Sequence, residues 1–144
     1  MIKRVLIVCV GNICRSPIAE AVFRHRLADE RIVVESAGLA ALAGNPIDPL
    51  AEAVLAEHGL TAASHVARQI SPALIDAADI VLAMDKRHVS AIHAQAPHAR
   101  GKTFLLGRWQ GDRPVPDPYG KPRAAFSRTY EMVGEAVDSW LTRF

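Results

Sequence analysis

Residues 5–17 read Val-Leu-Ile-Val-Cys-Val-Gly-Asn-Ile-Cys-Arg-Ser-Pro, and they constrain the fold more than any other stretch. Val5–Val8 is a continuous apolar run rich in β-branched residues, the pattern of a parallel strand buried on both faces. Ser16 offers an N-cap hydroxyl, and Pro17 is tolerated at a first helical position, so a helix is predicted to begin there. Ile18, Ala19, Val22, Phe23 and Leu27 form its apolar arc, with Glu20 and Arg24 opposite. A buried strand that enters a helix through a short Gly-Asn loop is the opening unit of a parallel α/β architecture.

The remainder repeats that alternation. Ile32–Glu35 reads as a second strand. Asp48-Pro49 opens a helix with Leu50, Ala53 and Val54 on one stripe and Gly59 beyond its end. Ser71-Pro72 opens a short helix, and Ile80–Met84 is a third strand. Asp85 caps a helix running to about Ala94, and Thr103–Leu106 is a fourth strand. The last helix is marked by Phe126, Tyr130, Val133, Val137, Trp140, Leu141 and Phe144, spaced four and three apart. The expected fold is therefore α/β, a three-layer doubly wound four-stranded parallel sheet of the flavodoxin-like or Rossmann-like kind. Ligands bind such sheets beyond the carboxyl ends of the strands. No repeat or linker divides the chain, so residues 1–144 are read as one domain.

Composition excludes several classes. The longest strictly apolar run, Val5–Val10, is six residues, against about 20 for a bilayer span. Lys3 and Arg4 before that run, with Ala19-Glu20-Ala21 after it, mimic a signal peptide, but the run is short and is succeeded at once by Asn12, Arg15 and Pro17. A cytoplasmic protein is expected. The net charge of +2 is too small to announce a nucleic-acid binder. Cys9 and Cys14 are the two cysteines, in a spacing that is neither a redox C-x-x-C pair nor half of a zinc ribbon. His88, His93 and His98 recur every five residues, which scatters them around a helix, so neither a metal nor any other cofactor is expected. The Gly-Lys-Ser/Thr pattern of a nucleotide-binding loop is absent.

The loop itself points to phosphate chemistry. A phosphate dianion needs several donors converging on its oxygens, and backbone amides of a tight loop at a helix N-terminus supply them. Gly11 and Asn12 are residue types that accept a left-handed backbone. Arg15 adds a planar fork for two oxygen contacts. Cys9 lies in the same positive field, which favours the nucleophilic thiolate. Cysteine, five residues and arginine form a weak pattern alone; between this strand and this helix start it is specific.

These residues carry a resemblance to a known family. Val8–Pro17 resembles the active-site loop of the low-molecular-weight protein tyrosine phosphatases. Ser36-Ala37-Gly38, Gly44-Asn45-Pro46, Ser64–Gln69, Met84-Asp85 and Asp117-Pro118-Tyr119 occur in the family's order. The resemblance implies Cys9 as nucleophile, Arg15 as phosphate clamp and Asp117 as the general acid that later serves as base. It also implies phosphate binding along Val10, Gly11, Asn12, Ile13, Cys14 and Ser16. Ser16 is given a second role, beside helix capping, as donor to the Cys9 thiolate. Asn12, Ser36 and His65 match the hydrogen-bonded network that holds the loop in shape. Tyr119, with the apolar segment near Leu39 and Leu42, is placed around the aromatic ring of phosphotyrosine, and Arg113, Lys121 and Arg123 form a positive rim around Asp117.

Tyr119 is followed by Gly120, and the Leu-Leu-Gly-Arg-Trp to Pro-Asp-Pro-Tyr stretch is similar to the bacterial branch associated with exopolysaccharide and capsule. The implied partner is a tyrosine-phosphorylated protein, an autophosphorylating bacterial tyrosine kinase, met by a monomeric phosphatase without nucleic acid or membrane insertion. Two rivals share the loop. An arsenate reductase of this fold needs a relay of further thiols, and no cysteine follows Cys14. A non-catalytic phosphotyrosine-binding module has no use for Cys9 and Asp117.

Overall fold

The computed structural model describes residues 1–144. Strand β1 (Arg4–Cys9) leads through the loop into helix α1 (Arg15–Arg26). Strand β2 (Val33–Gly38), helices α2 (Pro49–Glu57) and α3 (Pro72–Ala77), strand β3 (Ile80–Ala83) and helix α4 (Lys86–Gln95) come next. A 3-10 turn (Pro97–Lys102), strand β4 (Thr103–Leu105) and helix α5 (Arg123–Leu141) complete the chain. The four strands are all parallel, in the order β2-β1-β3-β4. The chain goes from β1 to one neighbour and then crosses to the other, so the crevice at the carboxyl end of β1 is the switch point where ligands settle in this architecture.

β1 is apolar throughout because both its faces are covered. Val5, Ile7 and Cys9 point to one side, packing with α1, α2 and α5 around Phe23, Leu55, Phe126 and Trp140. Leu6 and Val8 point to the other, against Ile75 of α3 and Ile92 of α4. Cys9 thus continues the face occupied by α1. Three of the predicted caps are formed: Asp48 accepts from Leu50 N, Ser71 from Leu74 N, and Asp85 from both Arg87 N and His88 N. Gly59 comes after the C-cap of α2 with φ +74°, the left-handed turn that ends the helix. No helix is long and apolar enough to cross a membrane.

Several sequence expectations need correction. β2 runs from Val33 to Gly38, beyond the predicted Glu35, because Ser36, Ala37 and Gly38 continue the register beside Ile7, Val8 and Cys9. In α2 the buried face is Ala51, Val54 and Leu55 rather than Leu50 and Ala53. His98 lies outside α4, in the 3-10 turn, where it pairs with Asp76. Ser16 caps nothing. α1 begins at Arg15 with Cys14 in the cap position and no side-chain cap, and Pro17 is its third residue.

Candidate active site

The loop after β1 is held by its carbonyl groups, those of residues 9–13 turned outward. Cys9 O accepts from Leu39 N at 2.9 Å, Val10 O from Ala40 N at 3.0 Å, and Gly11 O from Leu42 N at 3.0 Å. Asn12 O accepts from His65 Nε2 at 2.6 Å, Ile13 O from Asp48 N at 2.9 Å, and Cys14 O from Ile18 N at 3.1 Å. In a planar trans peptide the N–H points opposite to the C=O. Five consecutive carbonyls, Cys9 to Ile13, face the scaffold and so turn the amides of residues 10–14 into the curl, and the Cys14 carbonyl starts the hydrogen bonding of α1. The amides of Val10, Gly11, Asn12, Ile13 and Cys14 make no hydrogen bond within the chain. Converging amides at an uncapped helix start form an anion nest.

Asn12 is the residue that takes the left-handed backbone, with φ +58°. Gly11 does not. The left-handed conformation predicted for both glycine and asparagine is needed at one of them, and Asn12 is pinned there by four contacts. Its Oδ1 accepts from Arg68 N at 3.0 Å, which orients the amide, and its Nδ2 donates to Ser16 Oγ at 2.8 Å and Ser36 Oγ at 3.0 Å. The fourth contact is the His65 bond to its carbonyl. Ser36 Oγ in turn donates to Glu20 Oε1 at 2.6 Å.

This polarity reaches the thiol. Ser16 Oγ lies 2.9 Å from Cys9 Sγ. Asn12 Nδ2 can only donate, so the Ser16 hydroxyl proton is left for the sulfur. Ser16 is the second residue of α1, past the cap position, which is why it caps nothing, and its hydroxyl lies between the Asn12 amide and the thiol. The hydroxyl therefore faces the sulfur, and the expected helix cap is not formed.

Arg15 is 4% exposed, a guanidinium taken almost entirely out of water. Its Nη1 donates to the Val115 carbonyl at 3.0 Å, and Nη2 lies 3.7 Å from Asp117 Oδ2. One carbonyl and one distant, half-exposed carboxylate compensate a buried cation poorly, so the field inside the curl is positive. Asp117 is aimed by an Asx turn in which Tyr119 N donates to its Oδ1 at 3.1 Å. Cys14 is buried, and burial, followed by the charges of Asp48, Asp117 and Cys9, pushes its thiol up, so it stays neutral. Below Arg15 and Asp117, burial holds the His88 imidazole under the ordinary histidine range despite the opposing charge of Asp85.

These groups line a cleft of about 260 Å³, walled by residues 9–15, Ala40, Leu42, Asp117 and Tyr119. Leu42 and Tyr119 form its apolar mouth. Leu39 does not; it packs against the opposite face of the sheet, because side chains alternate after β2. The positive rim is also reduced. Arg113 is paired with Glu135 and Arg123 with Glu57, which leaves Lys121 without an ion pair.

Three contributors escape a reading of the sequence. Val115 holds Arg15 from 100 positions away, with no local signal. Glu20 has the spacing of a solvent-facing helix charge. Gly38 sits where a Cβ would lie 2.4 Å from Val10 O, so only glycine lets β2 approach the loop; the Ser-Ala-Gly triplet is its one trace.

Comparison with known proteins agrees with this geometry. Residues 4–144 match the family model for low molecular weight phosphotyrosine protein phosphatase. The chain is 43% identical over 140 residues to the low molecular weight protein-tyrosine-phosphatase Wzb of Salmonella typhimurium, covering 97% of this chain and 93% of that one. It is 41% identical over 143 residues to the probable phosphatase EpsP of Ralstonia nicotianae, covering 99% and 97%. Wzb of Vibrio vulnificus, solved with benzylphosphonate, superposes with a TM-score of 0.95 at 38% identity over 100% of both chains. A chain that shares this sequence over its whole length, this fold and this loop belongs to the low molecular weight phosphotyrosine protein phosphatase family and is a protein-tyrosine phosphatase.

Proposed function

We propose that catalysis runs through Cys9, and that the substrate is an autophosphorylating bacterial tyrosine kinase of exopolysaccharide or capsule production. The observation that carries the reading is the nest of inward amides around the Cys9 sulfur, closed by the buried Arg15. The Cys9 thiolate attacks the phosphorus, the bond to the phenolic oxygen breaks, and Asp117 delivers a proton to that oxygen. Asp117, now a carboxylate, takes a proton from water as the water attacks the cysteinyl-phosphate. Phosphate leaves and the thiolate is restored. Ser16 donates to the sulfur as attacking and as leaving group. The steps use this chain's own residues, with no metal or cofactor in the proposal. The enzyme works in the cytoplasm as a monomer and a single domain. A tyrosine-phosphorylated protein as substrate is supported by likeness to relatives named as protein-tyrosine phosphatases, Wzb and EpsP, and the choice of a kinase follows the resemblance to the exopolysaccharide branch.

The test is a pair of measurements. Wild type releases nitrophenol from p-nitrophenyl phosphate, while Cys9→Ser folds, binds vanadate and has lost essentially all turnover; substantial activity in that variant refutes the mechanism. Cys9→Ser, used as bait in the native host, retains a tyrosine-phosphorylated kinase. Capture of other phosphotyrosine proteins without a kinase refutes the substrate and leaves the chemistry standing.

A further inference from the structure

The mechanism leaves one buried titratable side chain beside the site without a task. His88, in the first turn of α4, is 4% exposed, and its Nδ1 is buried without a hydrogen-bond partner. The other ring nitrogen faces Asp85, with Nε2 3.5 Å from Oδ2. Burial keeps the ring below the ordinary histidine range; Asp85 and Asp117 oppose that effect, and Arg15 and Arg87 add to it. A carboxylate only accepts, so Nε2 carries the proton of the neutral ring and Nδ1 presents a lone pair. A buried acceptor with no donor is costly and marks a place where a donor belongs. Few neighbours can supply one. On α4, Arg87 is exposed and bonded to Asp85. In the segment before Asp117, Pro114 and Pro116 have no N–H, and Val115 N donates to Met84 O at 2.9 Å. From α1 comes Arg15, whose charge reaches the His88 ring.

The Arg15 guanidinium has donors left over. Of its five N–H groups, one goes to the Val115 carbonyl, and a phosphate fork takes two. Its one ion pair is with Asp117, whose Oδ2 lies 3.7 Å from Nη2. A closer contact there would work against the reaction. It favours the carboxylate and turns it toward the clamp, whereas a general acid must hold a proton toward the phenolic oxygen. We propose that His88 is a positioning residue for the phosphatase reaction: when substrate fills the loop, its Nδ1 accepts a spare N–H of Arg15 and so keeps the guanidinium off Asp117. Asp85, on the other side of the ring, fixes the tautomer that leaves Nδ1 free to accept. Arg15 is then held from behind by two neutral acceptors, Val115 O and His88 Nδ1, and the charge it turns toward substrate is undiminished. The inference rests on Asp117 as the general acid, which Asp117→Asn tests by itself.

Two substitutions of different reach separate this role from a structural one. Asparagine brings an amide oxygen near the place of Nδ1, while glutamine extends to the place of Nε2 and offers nothing at Nδ1. His88→Gln is expected to lower kcat/KM on a phosphotyrosine peptide by about tenfold or more, part of the roughly 10²–10⁴-fold that general acid catalysis supplies, and on p-nitrophenyl phosphate by far less. The alkaline limb of its kcat/KM profile on the peptide moves to lower pH, because an acid drawn to Arg15 ionises sooner. His88→Asn recovers most of both effects. Equal losses on the two substrates, an unmoved limb, or a His88→Asn no better than His88→Gln overturns the proposal. In the wild-type enzyme saturated with vanadate, NMR is expected to show a scalar coupling across a hydrogen bond from an Arg15 guanidinium nitrogen to His88 Nδ1; its absence overturns the contact whether or not the variants fold. A leaving-group effect in Asp117→Asn with none in His88→Gln overturns this inference alone. No such effect in Asp117→Asn overturns the acid assignment, and this inference with it.

Discussion

Gly38→Ala tests whether β2 sets the position of the phosphate loop. Its Cβ would fall 2.4 Å from Val10 O and 3.1 Å from the Cα and Cβ of Ala41. A carbon and a carbonyl oxygen rest at about 3.3 Å or more, so about 0.9 Å of movement must be found. It cannot be found on the Ala41 side without a second close contact. Val10 must give way, and its carbonyl is bonded to Ala40 N at 3.0 Å. Overpacking of this kind costs about 1–3 kcal/mol, which leaves a domain of about 5–15 kcal/mol stability folded. The catalytic cost is larger in proportion, because a displacement of ~1 Å at a reacting centre lowers rates by up to ~10²-fold. Urea denaturation and kcat/KM on p-nitrophenyl phosphate, measured together, read both effects. Gly11→Ala is the control: its Cβ meets Ile13 Cγ1 at 3.7 Å, an ordinary contact, so its midpoint stays within about 0.5 kcal/mol of wild type. A Gly38→Ala enzyme with wild-type kcat/KM would show that the loop keeps its place without that close approach.

Asp117→Asn is expected to slow poor leaving groups such as phosphotyrosine by roughly 10²–10⁴-fold and activated aryl phosphates far less; equal losses across a leaving-group series would assign the acid elsewhere. Ser16→Ala should lower turnover and cost about 1–3 kcal/mol of stability, because it deletes the buried acceptor of Asn12 Nδ2; a loss of stability with an unchanged rate would show that the hydroxyl does not serve the sulfur. Iodoacetamide at neutral pH should label Cys9 and spare Cys14, whose thiol is pushed up by burial and by neighbouring negative charge. The folded state keeps that proton where the unfolded chain releases it, so stability should decline as pH rises above the unfolded thiol value of 9.0, and Cys14→Ser should flatten the decline in a pH series of urea midpoints.

The local units of this protein are legible residue by residue. The apolar run Val5–Val8, the caps Asp48, Ser71 and Asp85, and the stripe of α5 each report interactions within a few residues, which neighbouring side chains specify directly. Alternating strands and helices then require a parallel sheet, and the Cys-to-Arg loop between strand and helix marks where an anion would sit. How that loop is held is a matter of the folded chain alone. Leu39, Asp48, His65 and Val115 come from separate crossings of the chain, and their distances from the loop depend on the strand order β2-β1-β3-β4. Ser16 has a hydroxyl suited in sequence to a helix cap or to the sulfur, and the start of α1 at Arg15, which puts Ser16 inside the helix beside the Asn12 amide, selects the sulfur side. Arg113 and Arg123 flank Asp117 in sequence, yet Glu135 and Glu57 neutralise them in space. A hydrogen bond or ion pair acts over about 3 Å, and which residues come that close is settled by packing rather than by spacing along the chain.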